Sequence, residues 1–134
     1  LREKWQSEGV RTFLGMHSHG FPNLFIMSGP QGGGGQFNFT VGLESHTDYV
    51  VWMLSTLRER KLRVVDVRQE PETAYAEHCR EADIRTRALR DCLSYYNGEG
   101  NAQPGSLAYY GGPRKWHELR AASQGSLAAY VFGS

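Results

Sequence analysis

Between Asn38 and Lys61 the apolar positions fall at helical spacing. Leu43, Val50, Leu54 and Leu57 share one face, with Met53 beside them, and predict a helix from Asn38 or Thr40 to Lys61. It closes on Arg58-Glu59-Arg60-Lys61, whose cations suit the negative end of the helix dipole. Shorter runs predict strands. Leu24-Phe25-Ile26-Met27, stopped by Pro22-Asn23 and by Ser28-Gly29-Pro30, reads as a buried strand. The β-branched run Leu62-Arg63-Val64-Val65-Asp66-Val67 reads as a second, and Tyr130-Val131-Phe132 as an edge strand. Glu70-Pro71-Glu72 opens a further helix that passes Ala74, Cys79 and Ala82 towards Leu89, and a short helix is expected over residues 114–123. Residues 1–22 read as mixed and turn-rich, and residues 93–112 as a long structured loop.

Short strands, one long helix and further helices make an α/β chain. Its 134 residues fit one domain or part of one, and the 40% apolar and 22% charged fractions describe a globular segment. Lys and Arg total 15 against 14 Asp and Glu, a net charge of +1, which gives no field for steering nucleic acid or anionic lipid. The longest apolar run, residues 49–54, is far short of the ~20 residues that span a bilayer. No signal peptide is visible behind Leu1-Arg2-Glu3-Lys4-Trp5. Cys79 and Cys92 form no CxxC pair, so free thiols in a cytoplasmic setting are expected. The first methionine is Met16, which suggests a piece of something longer.

Four features could carry chemistry. The run Gly29-Pro30-Gln31-Gly32-Gly33-Gly34-Gly35 lies between a strand and a helix start, where close backbone approach and free N–H groups hold anionic or polar atoms. It matches neither GxxxxGK[ST] nor GxGxxG, so a plain surface turn stays open. His17-Ser18-His19 offers two imidazoles but no third ligand at motif spacing, which favours hydrogen-bonding turn histidines over zinc. Tyr95-Tyr96 and Tyr109-Tyr110, with Trp116, suit either a pocket wall or core packing. Cys79, beside His78 and Arg80 in mid-helix, is reactive or, without a defined partner, inert. Glu44, Asp48, Glu70 and Glu72 read as solvated helix charges.

Arg11-Thr12-Phe13-Leu14-Gly15-Met16, Gly20-Phe21-Pro22-Asn23-Leu24-Phe25 and Gly29-Pro30-Gln31 together resemble the C-terminal part of flavin-dependent Baeyer–Villiger monooxygenases. Tyr95-Tyr96-Asn97-Gly98-Glu99-Gly100 is similar to a loop of the branch acting on large-ring ketones, and the likeness runs over nearly the whole chain. The resemblance implies part of an enzyme that uses FAD, NADPH and oxygen to turn ketones into esters or lactones through a flavin peroxide. Residues 1–61 would end an FAD-binding domain, and 62–134 would supply C-terminal helices and a loop covering cofactor and substrate. By the same resemblance Gly29 and Pro30 fall at the flavin-proximal turn, and Asn38 and Phe39 at the helix start near the flavin ring. Gly34, Gly35 and Gln36 match a bulge lining the substrate pocket, where four successive glycines depart from the larger residues often found. Tyr95 stands where many relatives carry tryptophan in the loop folding over NADP.

The family's GxGxxG fingerprints, its FxGxxxHTxxW signature and its active-site arginine are absent from these residues. The chain by itself is therefore expected not to turn over, and its partners to be a ketone and the FAD and NADPH domains. A nitrogen- or sulfur-oxidising flavin monooxygenase and a stand-alone binding module are the alternatives. A fragment would also expose apolar surface where those domains pack.

Overall fold

The computed structural model describes residues 1–33, 38–82 and 107–134. Among these, four helices surround a two-stranded sheet: α1 (Arg2–Glu8), α2 (Phe39–Glu59), β1 (Val64–Val67), α3 (Gln69–Ala82), α4 (Pro113–Ser126) and β2 (Tyr130–Gly133). The mixed helix and strand content agrees with the α/β expectation.

Helix α2 starts where the side chain of Asn38 accepts the amides of Thr40 and Val41, an N-cap that satisfies two of the orphan donors of the first turn. The face it buries is not the most apolar one. Gly42, Ser45, His46, Tyr49, Met53 and Leu57 point inward, while Val51 and Leu54 are 57% and 52% exposed. The Leu43–Val50–Leu54 stripe is real in the sequence but flanks the core instead of filling it. Phe39 (66%) and Val41 (52%) at the start of α2 stand in solvent too.

β1 pairs antiparallel with β2, Val64 facing Gly133 and Val67 facing Tyr130. Val65 and Val67 are buried and Val64 and Asp66 half-buried, the alternation a one-faced strand requires. The other edge of β1 is closed by Asn23 and His19. The backbone amide of Asn23 donates to the Val65 carbonyl at 2.9 Å, and Asn23 Oδ1 accepts the Val65 N–H at 3.0 Å. Asn23 Nδ2 donates to the Arg63 carbonyl and His19 Nδ1 to that of Val67 at 2.8 Å. One left-handed asparagine, φ 60°, thus stands in for a neighbouring strand.

Three expectations need correcting. Residues 24–27 form no strand: Leu24, Phe25 and Ile26 are only half-buried and Met27 is 41% exposed. A strand needs a ladder, and here the Ile26 amide donates to the Met16 carbonyl while that of Leu24 turns back to Phe21. The N-terminal stretch, read as turn-rich, begins with α1, tied down by a hydrogen bond from Trp5 Nε1 to the Arg11 carbonyl. Glu72 is not solvated but buried. Glu44, Asp48 and Glu70 are not buried, as expected.

The core gathers Phe13, Leu14, Met16, Tyr49, Met53, Val65, Val67, Tyr75, Tyr109, Trp116 and Tyr130. Its aromatics meet edge-on or stacked, Tyr75 on Tyr109 at 6.0 Å and Phe13 against Tyr75 and Tyr130 at 6.0 and 5.9 Å. Tyr109 and Trp116 are core residues, then. Cys79 is buried with them. The end of α3 expected near Leu89, Cys92, and the loop over 93–106 lie outside the described residues.

Candidate functional site

The turn over residues 28–32 is built from backbone that side chains hold in place. Gly15, at φ +74°, abuts it so closely that a Cβ there would fall 1.9 Å from Gly32 Cα. A Cβ on Gly29 would meet the Gly15 carbonyl at 2.7 Å, and one on Gly32 would meet His46 Cε1 at 2.9 Å. Glycine is required at these positions by contact, not by flexibility. This removes the plain surface turn as a reading of the described part of the run.

Gln31 fastens the turn. It sits in the left-handed region, φ 65°, at a cost of roughly 1–2 kcal/mol for a residue with a Cβ. Hydrogen bonds from both its side chain and its backbone hold it there. Its Oε1 accepts from the Thr12 amide at 3.0 Å and lies 2.8 Å from the Thr12 hydroxyl; its Nε2 donates to the Val10 carbonyl at 3.3 Å. Its own amide donates to the Leu107 carbonyl at 2.9 Å, and its carbonyl accepts from the Tyr75 hydroxyl at 2.8 Å. Burial pushes the Tyr75 phenol well above its ordinary range, which keeps it a donor.

His46 spans the turn from the helix side. Its Nδ1 accepts the Ser28 amide at 3.1 Å and its Nε2 faces the Gly32 carbonyl at 3.2 Å. Trp116 lies against the ring at 5.2 Å, donating its Nε1 to the Leu14 carbonyl, and Arg120 lies over Trp116 while donating to the Ser45 carbonyl. Burial, with the Arg120 cation, draws the His46 pKa below 6.5.

Two further polar clusters lock the frame. Glu72, 1% exposed, takes Lys4 Nζ at 2.9 and 2.8 Å, the Ser18 hydroxyl at 3.0 Å and the His19 amide at 2.8 Å. Lys4 completes its donors on Ser18 Oγ and the His19 carbonyl. Composition could not reveal this; the signal was a proline-flanked acid whose partner lies 68 positions away. The second cluster is a chain of hydroxyls. His17 Nε2 lies 2.9 Å from Tyr49 OH, Tyr49 OH meets Tyr130 OH, and Tyr130 OH donates to Ser123 Oγ at 3.2 Å. His17 and His19 therefore have hydrogen-bonding roles.

Of the sequence-predicted residues, the structure brings Gly29 and Pro30 onto the fastened turn and makes Asn38 the cap of α2. Phe39 projects from its first turn. Gly34, Gly35, Gln36 and Tyr95 lie outside the described residues. Gln31 and His46, which no motif singled out as site residues, hold the turn.

A scan against family models finds no match. A Baeyer–Villiger monooxygenase of Streptomyces coelicolor is 35% identical over 125 residues, covering 89% of this chain and 20% of that protein. The chain belongs to the Baeyer–Villiger monooxygenase family. It spans about a fifth of the curated relative it matches. Cyclohexanone monooxygenase of Rhodococcus sp. Phi1, solved bound to NADP+, superposes with a TM-score of 0.84 at 20% identity, over 99% of this chain and 25% of that one. OTEMO, solved in complex with FAD and NADP, superposes with a TM-score of 0.79 at 21% identity, over 99% and 25%. No helix among the described residues is long and apolar enough to cross a membrane.

Proposed function

We propose that this chain is part of an FAD- and NADPH-dependent monooxygenase that oxidises ketones to esters or lactones, and that it does not turn over by itself. The observation carrying the reading is that nearly the whole chain aligns with one stretch of a Baeyer–Villiger monooxygenase while making up only about a fifth of it. The remaining domains would bring the FAD and NADPH sites, a ketone would be the substrate, and the setting would be cytoplasmic.

The described residues fit a flavin. FAD, when bound, supplies the redox chemistry that passes reducing power from NADPH to oxygen. The chain's own part is to shape and charge the cradle. Gly29 and Pro30 would face the ring, as the resemblance implies, on a turn held in one shape because a Cβ at residue 15, 29 or 32 would strike the chain's own atoms. The start of α2, with Asn38 and Phe39, would set a partial positive charge towards the negative edge of the reduced ring. Phe39, 66% exposed, has a free face to offer it. Gly34, Gly35 and Gln36 would line the ketone pocket, and Tyr95 would cover NADP. Residues 1–61 would close the FAD-binding domain, with 62–134 forming the helices and loop beyond it.

The test is to read the coding region in frame upstream of Leu1, express what it encodes, and assay it with NADPH, oxygen and a panel of ketones, amines and sulfides. Two glycine-rich fingerprints and ketone-dependent NADPH oxidation yielding a lactone or ester support the reading. A start codon directly before Leu1, or oxygenation of amines or sulfides alone, overturns it.

A further inference from the structure

We infer that His46 is a positioning residue that holds the 28–32 turn in one shape through a single uncharged tautomer, so that the turn loosens when the imidazole is protonated. That this matters for the flavin rests on the reading above; the device itself does not.

Donors and acceptors on the turn fix the tautomer of the ring. The Ser28 amide can only donate, so His46 Nδ1, 3.1 Å away, must be its acceptor and carry no proton. The Gly32 carbonyl can only accept, so Nε2, 3.2 Å away, must carry one. Both ends of the ring are then assigned by the turn itself, and only the neutral Nε2–H form satisfies both. A proton on Nδ1 would set two donors face to face at the Ser28 end.

The ring also has no room to turn aside. Gly32 packs against its Cε1, Gly15 packs against Gly32, and Trp116 lies on it at 5.2 Å. The groups facing His46 are uncharged backbone from the turn, the Trp116 indole from α4, and the Arg120 cation from α4, which opposes a second positive charge. Among the described residues no carboxylate is an electrostatic partner of the ring. Ser28, at φ 51°, occupies a left-handed conformation that a lost amide bond would release.

The experiment uses the protein expressed from its complete reading frame and reads the imidazole and the turn directly, with no turnover needed. Imidazole 15N–1H correlation spectra, recorded from about pH 8 to about pH 4, report the His46 tautomer while amide spectra follow Ser28. The expected result is the Nε2–H tautomer at neutral pH, a midpoint below the ordinary ~6.5, and a Ser28 amide shift moving with that midpoint. Two variants separate positioning from packing. The shorter amide side chain of His46→Asn keeps an acceptor near the place of Nδ1, whereas His46→Gln keeps only a donor near that of Nε2.

Ser28 amide exchange is expected to quicken about tenfold in His46→Gln and to stay within about twofold of wild type in His46→Asn, with β1 amides unchanged in both. An Nδ1–H tautomer, an ordinary midpoint, or a Ser28 signal indifferent to the titration overturns the inference. If both variants also lose β1 protection, the wild-type titration decides alone. Failure of the monooxygenase assay leaves these readouts untouched, so the two proposals fall separately.

Discussion

His17 Nε2 lies 2.9 Å from the Tyr49 hydroxyl, at the head of a buried chain whose proton order is determined throughout. Ser123 spends its proton on the Arg120 carbonyl, so it accepts from Tyr130; Tyr130 must then accept from Tyr49, and Tyr49 from His17. His17 Nε2 therefore carries a proton, and burial, which lowers the ring's pKa, keeps it neutral. This joins the N-terminal segment, α2, β2 and α4 through groups that would each be costly to leave unpaired.

The pH dependence of stability follows from the same residue. Burial lowers the His17 pKa to about 4 from 6.5, so between these values the unfolded chain binds the proton and the folded chain does not. Stability therefore falls as pH drops below 6.5 and levels off below about 4, by roughly 3 kcal/mol for this group. Urea midpoints at about pH 7.5, 5.5 and 4 check it. In His17→Gln the loss over that window should shrink by about this amount; an unchanged slope would show that His17 does not drive it.

Glu72→Gln should cost about 3 kcal/mol, because it leaves the nearly buried ammonium of Lys4 without its counter-charge. Adding Lys4→Met should recover part of that loss, since the uncompensated charge goes with it. Chemical denaturation of the two single variants and the double variant reads out the coupling. Additive losses would mean that the pair contributes no more than its separate contacts.

Gln31 separates backbone strain from side-chain bonding. Both Gln31→Ala and Gln31→Gly lose the bonds to Thr12 and Val10, for about 1–3 kcal/mol, but only glycine is at ease at φ 65°. The glycine variant should be the more stable of the two by about 1 kcal/mol. Equal stability would show that the left-handed backbone carries no strain here.

Gly15 and Gly125 make an opposed pair. Gly15→Ala drives a Cβ to 1.9 Å from Gly32 Cα at a positive φ, and a loss of more than about 3 kcal/mol is expected. Gly125 lies within α4 with nothing within 4 Å of a new Cβ, so Gly125→Ala should stabilise by about 0.5–1 kcal/mol. Thermal melts suffice, and a tolerated Gly15→Ala would contradict the close packing described.

What the sequence determined by itself was local. Helical periodicity located α2, the Glu70-Pro71-Glu72 start located α3, and the apolar runs located β1 and β2, because each acts on its own neighbours; the short helix expected over 114–123 matches α4. The Gly-Phe-Pro-Asn-Leu-Phe and Gly-Pro-Gln segments marked the family, since those residues occur together for contacts that many members share. Tertiary structure decided the rest. It turned inward the face of α2 bearing Ser45, His46 and Tyr49 and left the apolar Val51 and Leu54 outside, a choice that hydropathy ranks the other way. It took Glu72 out of water, dissolved the strand expected over 24–27, and made Gln31 and His46 the fasteners of the glycine turn. Each buried polar group among these depends on a partner elsewhere in the chain, Lys4 for Glu72, Tyr75 for Gln31, the Gly32 carbonyl for His46. A local pattern can specify a helix or a cap, but a buried polar group is stable only when a distant one arrives to satisfy it.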